Sequence, residues 1–160
     1  MSFGKTIVIG LGNPILGDDG VGWVIANEIE ATLGNSEQNV DVDCLALGGL
    51  SLMERMIGYQ RIILIDSLNT GKHPQGSVMT FTLEDMIDLT NGHTFAVHDM
   101  SIKTALVLGR KLGASLPADK DVHIVAIEAQ HVYDFKEELS PTITSAKPAA
   151  IQLVLDLIRD

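Results

Sequence analysis

Cysteine is almost absent from this sequence. The single copy, Cys44, excludes an internal disulfide and any cysteine-rich metal cluster. It sits in an apolar, strand-like run and reads as a plain buried thiol. Long apolar stretches are missing as well: Ile62 to Ile65 and Ala105 to Leu108 fall far short of the ~20 residues a membrane span needs. No targeting segment is visible, because Met1 to Thr6 is too short for a signal peptide and a core strand follows at once. Basic residues are few and scattered, 11 Lys and Arg against 21 Asp and Glu, for a formal charge of −10. Phosphate backbones are held by clustered Lys and Arg, so nucleic acid is not an expected partner. The expectation is a soluble, cytoplasmic protein, monomeric by default, that engages neither membrane nor nucleic acid.

What is present suits a single globular domain over residues 1–160, with 46% apolar and 20% charged residues. A chain of this size buries about 70% of its unfolded surface, enough for a core without staples. Strand and helix signals alternate. Lys5 to Gly10 is a β-branched apolar run, and Gly20 to Leu33 has helical periodicity through Val21, Val24, Ile25 and Ile29. Asp41 to Leu47 reads as a strand and Leu50 to Ile57 as a short helix. Arg61 to Ile65 is the most hydrophobic strand, closed by Asp66. Gly76 to Thr82 alternates and follows too short a loop for a helical crossover, so it is expected to run antiparallel. One or two helical turns are expected over Leu83 to Leu89, a helix over Asp99 to Leu112, a fifth strand over Val122 to Glu128 and a terminal helix over Ser145 to Arg159. The loop from Asn69 to Gln75, polar and Gly-containing, is expected to be mobile. The whole predicts a three-layer α/β/α domain: helices on both faces of a mixed, mostly parallel five-stranded sheet with one antiparallel strand.

In such sheets ligands bind beyond the carboxyl ends of the parallel strands. There the sequence places Asp18 and Asp19 after the first strand, Gly48 and Gly49 after the second, Asp66 after the third, and His98 before a helix. The first loop is no nucleotide site. The third glycine of a dinucleotide fingerprint would fall at Ile15, two carboxylates guard the helix entrance, and no Walker pattern exists. One of Asp18 and Asp19 suffices to cap the following helix, which leaves the other for chemistry; the sequence does not separate them. Asp66 alone would pass for a turn aspartate, and His98 for a structural histidine near a helix start. Together, two carboxylates and an imidazole on one rim suit a divalent ion such as zinc, nickel, iron or manganese, with positions left open for water or substrate. His73, His93, His123 and His131 are weaker ligand candidates. There is no His-Glu-x-x-His helix and no Gly-x-Ser-x-Gly elbow, so any hydrolysis falls to a metal and its water.

The run Ile9-Gly10-Leu11-Gly12-Asn13-Pro14-Ile15-Leu16-Gly17-Asp18-Asp19-Gly20-Val21-Gly22 resembles the opening motif of the hydrogenase maturation proteases, which trim the C-terminus of the large subunit of nickel–iron hydrogenases. Asp66, His98, Glu128 and the segment Leu139-Ser140-Pro141 follow in that family's order. The resemblance implies the same five-stranded fold. It also implies metal ligands, and hence catalytic residues, at Asp19, Asp66 and His98, with nickel supplied by the substrate and other divalent ions such as zinc or cadmium able to take its place. The implied partner is the large-subunit precursor, cut after nickel insertion. Gly48 and Gly49 would admit a peptide backbone at close range. Many members carry Asp-Gly-Gly where this chain has Leu47-Gly48-Gly49, so a non-catalytic nickel-centre or docking protein of the same fold is the alternative. Peptidyl-tRNA hydrolases also open with Gly-Leu-Gly-Asn-Pro, but they need a basic groove and an early histidine, and the first histidine here is His73.

Overall fold

The computed structural model describes residues 4–46, 48–86 and 96–160, with side chains omitted over 96–101. In chain order the elements are β1 (Thr6–Leu11), α1 (Val21–Leu33), β2 (Val40–Leu45), α2 (Gly49–Met56), β3 (Arg61–Leu68), β4 (Val78–Thr82), α3 (Ala96–Lys111), β5 (Val122–Glu128) and α4 (Pro141–Arg159). One sheet has the order β2-β1-β3-β5-β4. Only the β4–β5 pair is antiparallel, as the short β3–β4 loop predicts.

Strand side chains alternate between faces, and the core divides accordingly. Ile7, Ile9, Ile62, Leu64 and Ile124 pack with Leu52, Met53 and Met56 of α2 and Ile102, Ala105 and Leu106 of α3. Val8, Ile63, Ile65, Val125 and Ile127 pack with Val21, Ile25 and Ile29 of α1 and Ile143, Ala150 and Val154 of α4. This double cover explains why β1 and β3 are nearly continuous aliphatic runs, whereas β2, at the edge, is half-buried throughout.

The chain leaves β1 to one side for β2 and returns past it to β3, so the strand order reverses between β1 and β3. Their pairing stops at Gly10 opposite Ile65. β3 continues against β5 as far as Leu68 opposite Glu128. Asp66 therefore stands within the strand, not at its end, and is the first residue beyond the cover of β1. The Ser67-Leu68 pair extends the strand because Leu68 is needed in the core, at 8% exposure. Glycine lets α1 approach this edge: a Cβ on Gly22 would lie 2.4 Å from Leu11 O and 2.5 Å from Ile65 O.

Two helix starts differ from the sequence reading. α3 begins at Ala96, so His98 lies in its first turn instead of preceding it. α4 begins at Pro141, with Ser140 as its N-cap, and Pro148 falls in its interior. There Pro148 is exposed, as is Thr144, whose carbonyl loses an intrahelical partner and faces water. Of the turns expected over Leu83 to Leu89, Leu83 to Met86 form a turn and the rest lie outside the described residues, as does Leu47.

Candidate active site

The first loop closes with a short 3-10 turn, Gly17–Gly20, that carries both aspartates. Neither caps α1, the helix that comes next. Asp18 is buried, and it accepts bonds from the amide of Ser140 at 2.7 Å and from its hydroxyl at 2.8 Å. Its carboxylate thus fastens the start of α4, where the helix dipole favours negative charge. The capping expected of one aspartate is done across the molecule, 122 residues away in sequence.

Asp19 turns the other way. Its Oδ2 accepts the Asn13 amide at 2.7 Å and its Oδ1 accepts the Ser67 hydroxyl at 3.1 Å. Each oxygen keeps a second lone pair. The loop can fold back on itself this way because Gly12, at φ 126°, brings its backbone against Asp19 O, only 1.9 Å from where a Cβ would stand.

Ser67 also donates its amide to Asp66 Oδ1 at 2.8 Å. One serine thus holds two carboxylates from segments remote in sequence. Both aspartates and Ser67 line a cleft of about 510 Å³ at the strand-order reversal, together with Gly48 and with Ile102 of α3. Gly49 begins α2 at φ 60°, a conformation that favours glycine. His98 lies four residues before Ile102 on α3, and its side chain is outside the described residues. Among the described residues no third His, Cys, Asp or Glu joins the two aspartates in a metal-sized group.

Glu128, which is 1% exposed at the end of β5, holds the loop whose Thr70 also lines the cleft. Its carboxylate accepts the amides of Thr70 at 2.9 Å and Gly71 at 2.8 Å and the Thr70 hydroxyl. Its backbone pairs with Gly76 and Ser77. The β3–β4 loop, expected to be mobile, is therefore tied at both ends. Sequence reasoning had no signal for Ser67 or for the partners of Glu128, since both roles depend on contacts across the fold.

The remaining titratable groups contribute little here. The Cys44 thiol is half-buried, not fully buried as its apolar setting suggests, and burial pushes its pKa up to about 11. Only the thiolate is a strong nucleophile, so this cysteine is poorly suited to attack a peptide bond at neutral pH. His123 lies at the other end of β5, where burial and Arg61 lower its pKa. His73 is exposed, and His131 is exposed and pairs with Asp134 at 3.1 Å. His93 lies outside the described residues. Among the described residues no helix is long and apolar enough to cross a membrane.

Two carboxylates on one wall of a cleft can share a divalent cation, which relieves their repulsion, or one of them can take a proton from water. The family model of the hydrogenase maturation proteases matches residues 24–157, a span that includes Asp66 and His98 and starts just beyond the turn of Asp19. Protein FrxA of Pyrococcus furiosus is 28% identical over 145 residues, 91% of this chain and 98% of that protein. The hydrogenase maturating endopeptidase HybD from E. coli has the same fold, with a TM-score of 0.77 at 22% identity over 97% of this chain and 92% of that one. The NiFe hydrogenase maturation protease HybD from Thermococcus kodakarensis gives 0.70 at 24% identity, over 96% and 98%. Matched over most of its length, the chain belongs to the hydrogenase maturation protease family.

Proposed function

We propose that this protein is the endopeptidase that removes the C-terminal extension of a nickel–iron hydrogenase large-subunit precursor once nickel has been inserted. The observation that supports this most is the pair Asp19 and Asp66, tied through Ser67 and lining one cleft with Gly48. In this reading the nickel arrives as part of the substrate. Asp19, Asp66 and His98 meet it, an oxygen and nitrogen donor set suited to a divalent transition metal. Gly48 and Gly49, lacking side chains, let the peptide backbone lie close to the start of α2. Hydrolysis consumes one water, and a carboxylate of the pair is the group placed to take its proton. In this reading the protein works on the precursor in the cytoplasm.

The test is to mix the purified protein with nickel-loaded precursor and follow the precursor by mass spectrometry. Loss of a C-terminal fragment is expected from the wild type. Asp66→Ala and His98→Ala are expected to leave the fold intact and to reduce trimming by more than about a hundredfold. Normal trimming by either variant would remove that residue from the mechanism. Tight binding with no mass loss would favour a docking protein that lacks cleavage, the reading to which Leu47 points.

A further inference from the structure

Aromatic residues are scarce in this chain: four Phe, two Tyr and one Trp. Two of them stand almost wholly in solvent two residues apart, Tyr133 at 81% exposure and Phe135 at 83%. An aromatic ring buried in a core or an interface removes roughly 150–250 Å² from water, so leaving two outside forgoes a large stabilisation. The segment that carries them is well fastened. Asp18 donates its amide to His131 O at 3.0 Å, Gly17 to Lys136 O at 2.7 Å, and Lys136 to Ile15 O at 3.1 Å. Leu16 and Lys136 form a parallel bridge. The rings are thus displayed on backbone stitched to the loop of Asp19. Ile15, 46% exposed, belongs to the same junction.

This apolar ledge is continuous with the active-site cleft, because Tyr133 lines that cleft. Its fringe is acidic on balance: Glu137 and Glu138 are exposed beside the single exposed cation Lys136, and Asp134 is engaged with His131. We propose that Ile15, Tyr133 and Phe135 form the docking ledge for the C-terminal segment of the precursor, which leaves the cleft extended, with an apolar side chain on the rings and basic groups toward Glu137 and Glu138. The inference rests on the proposed function, since it takes the same substrate. A second copy of this chain fits poorly. It would bring the same acidic fringe and a net charge of −10 to the contact, and like charges oppose association.

The experiment compares the wild type with the double variant Tyr133→Ser, Phe135→Ser, using nickel-loaded precursor. Neither ring is part of the core, so the melting temperature should hold. KM is expected to rise about tenfold or more, the loss typical of removing aromatic anchors, while kcat stays within about twofold. Leu112→Ser, which removes a side chain 77% exposed just beyond the far end of α3, should change neither. An unchanged KM in the double variant, with the wild type active, would overturn the ledge and leave the protease intact. A wild type that binds but never trims would instead overturn the proposed function, and the ledge with it. Affinity for the mature subunit, lacking the extension, should be equal for wild type and double variant. An equal loss there would overturn the proposal by assigning the ledge to the body of the subunit. Concentration-dependent dimers of the wild type that the double variant abolishes would overturn it too.

Discussion

Ser67 gives its amide to Asp66 and its hydroxyl to Asp19, and so fixes how the two carboxylates face each other. Its predicted signature is in binding. Ser67→Ala should weaken Ni²⁺ or Zn²⁺ affinity about tenfold by calorimetry, the usual loss when a group that orients a metal ligand is removed. Ser67→Thr, which keeps the hydroxyl, should restore it; equal affinities for all three proteins would make the serine a bystander. A second residue-scale prediction concerns Cys44. With its pKa near 11, the thiol stays protonated at neutral pH, so alkylation by iodoacetamide should be slow at pH 7 and climb about tenfold per pH unit toward 11. Fast labelling at pH 7 would show the thiol to be ionised there. The convergence of an aspartate from the first loop and Asp66 on one cleft was legible from sequence, because the carboxyl halves of parallel strands and the loops after them share one rim; the choice of Asp19 over Asp18 came from the family resemblance. Ser67 was not, because nothing in a serine after an aspartate announces a partner 48 residues upstream.

At the scale of elements, Glu128 converts a polar, glycine-bearing loop into a fixed wall. Glu128→Ala should raise amide hydrogen exchange at Thr70 and Gly71 by at least about tenfold, since an opening cost lowered by 1.4 kcal/mol gives that factor. Unaltered protection there would mean that the loop is held by its own turns. Composition alone suggested mobility because it reports what a loop lacks, not what lies beneath it. Helix and strand interiors were readable from apolar periodicity, and the misplaced boundaries share one cause. Ser67 in β3 and Ser140-Pro141 at the start of α4 are polar or turn-prone, and each is recruited by tertiary contacts that periodicity does not carry. The antiparallel β4 was readable from loop length, but its insertion beside β5 instead of β3 was not stated by any local signal.

The molecule as a whole is acidic, with a formal charge of −10, and it exposes Ile15, Tyr133 and Phe135 on segments joined to the loop of Asp19. Exposed charges at a separation beyond about 8 Å are largely screened at physiological salt. Precursor association should therefore slow as NaCl rises from low to physiological levels and beyond, by stopped-flow, while dissociation changes less. A rate indifferent to salt would leave the net charge of −10 without a role in encounter. Fold class followed from strand–helix alternation, and the end of the sheet that carries the cleft followed from the rule that ligands sit at the carboxyl ends of parallel strands, whereas the strand order itself was not readable. What no composition could supply is the closure of the first loop by the last helix. Asp18 waits for Ser140, so on the ribosome the turn that bears Asp19 is made long before the residue that fastens it. A nascent chain that has emerged short of residue 140 lacks the bond that ties this turn to the start of α4.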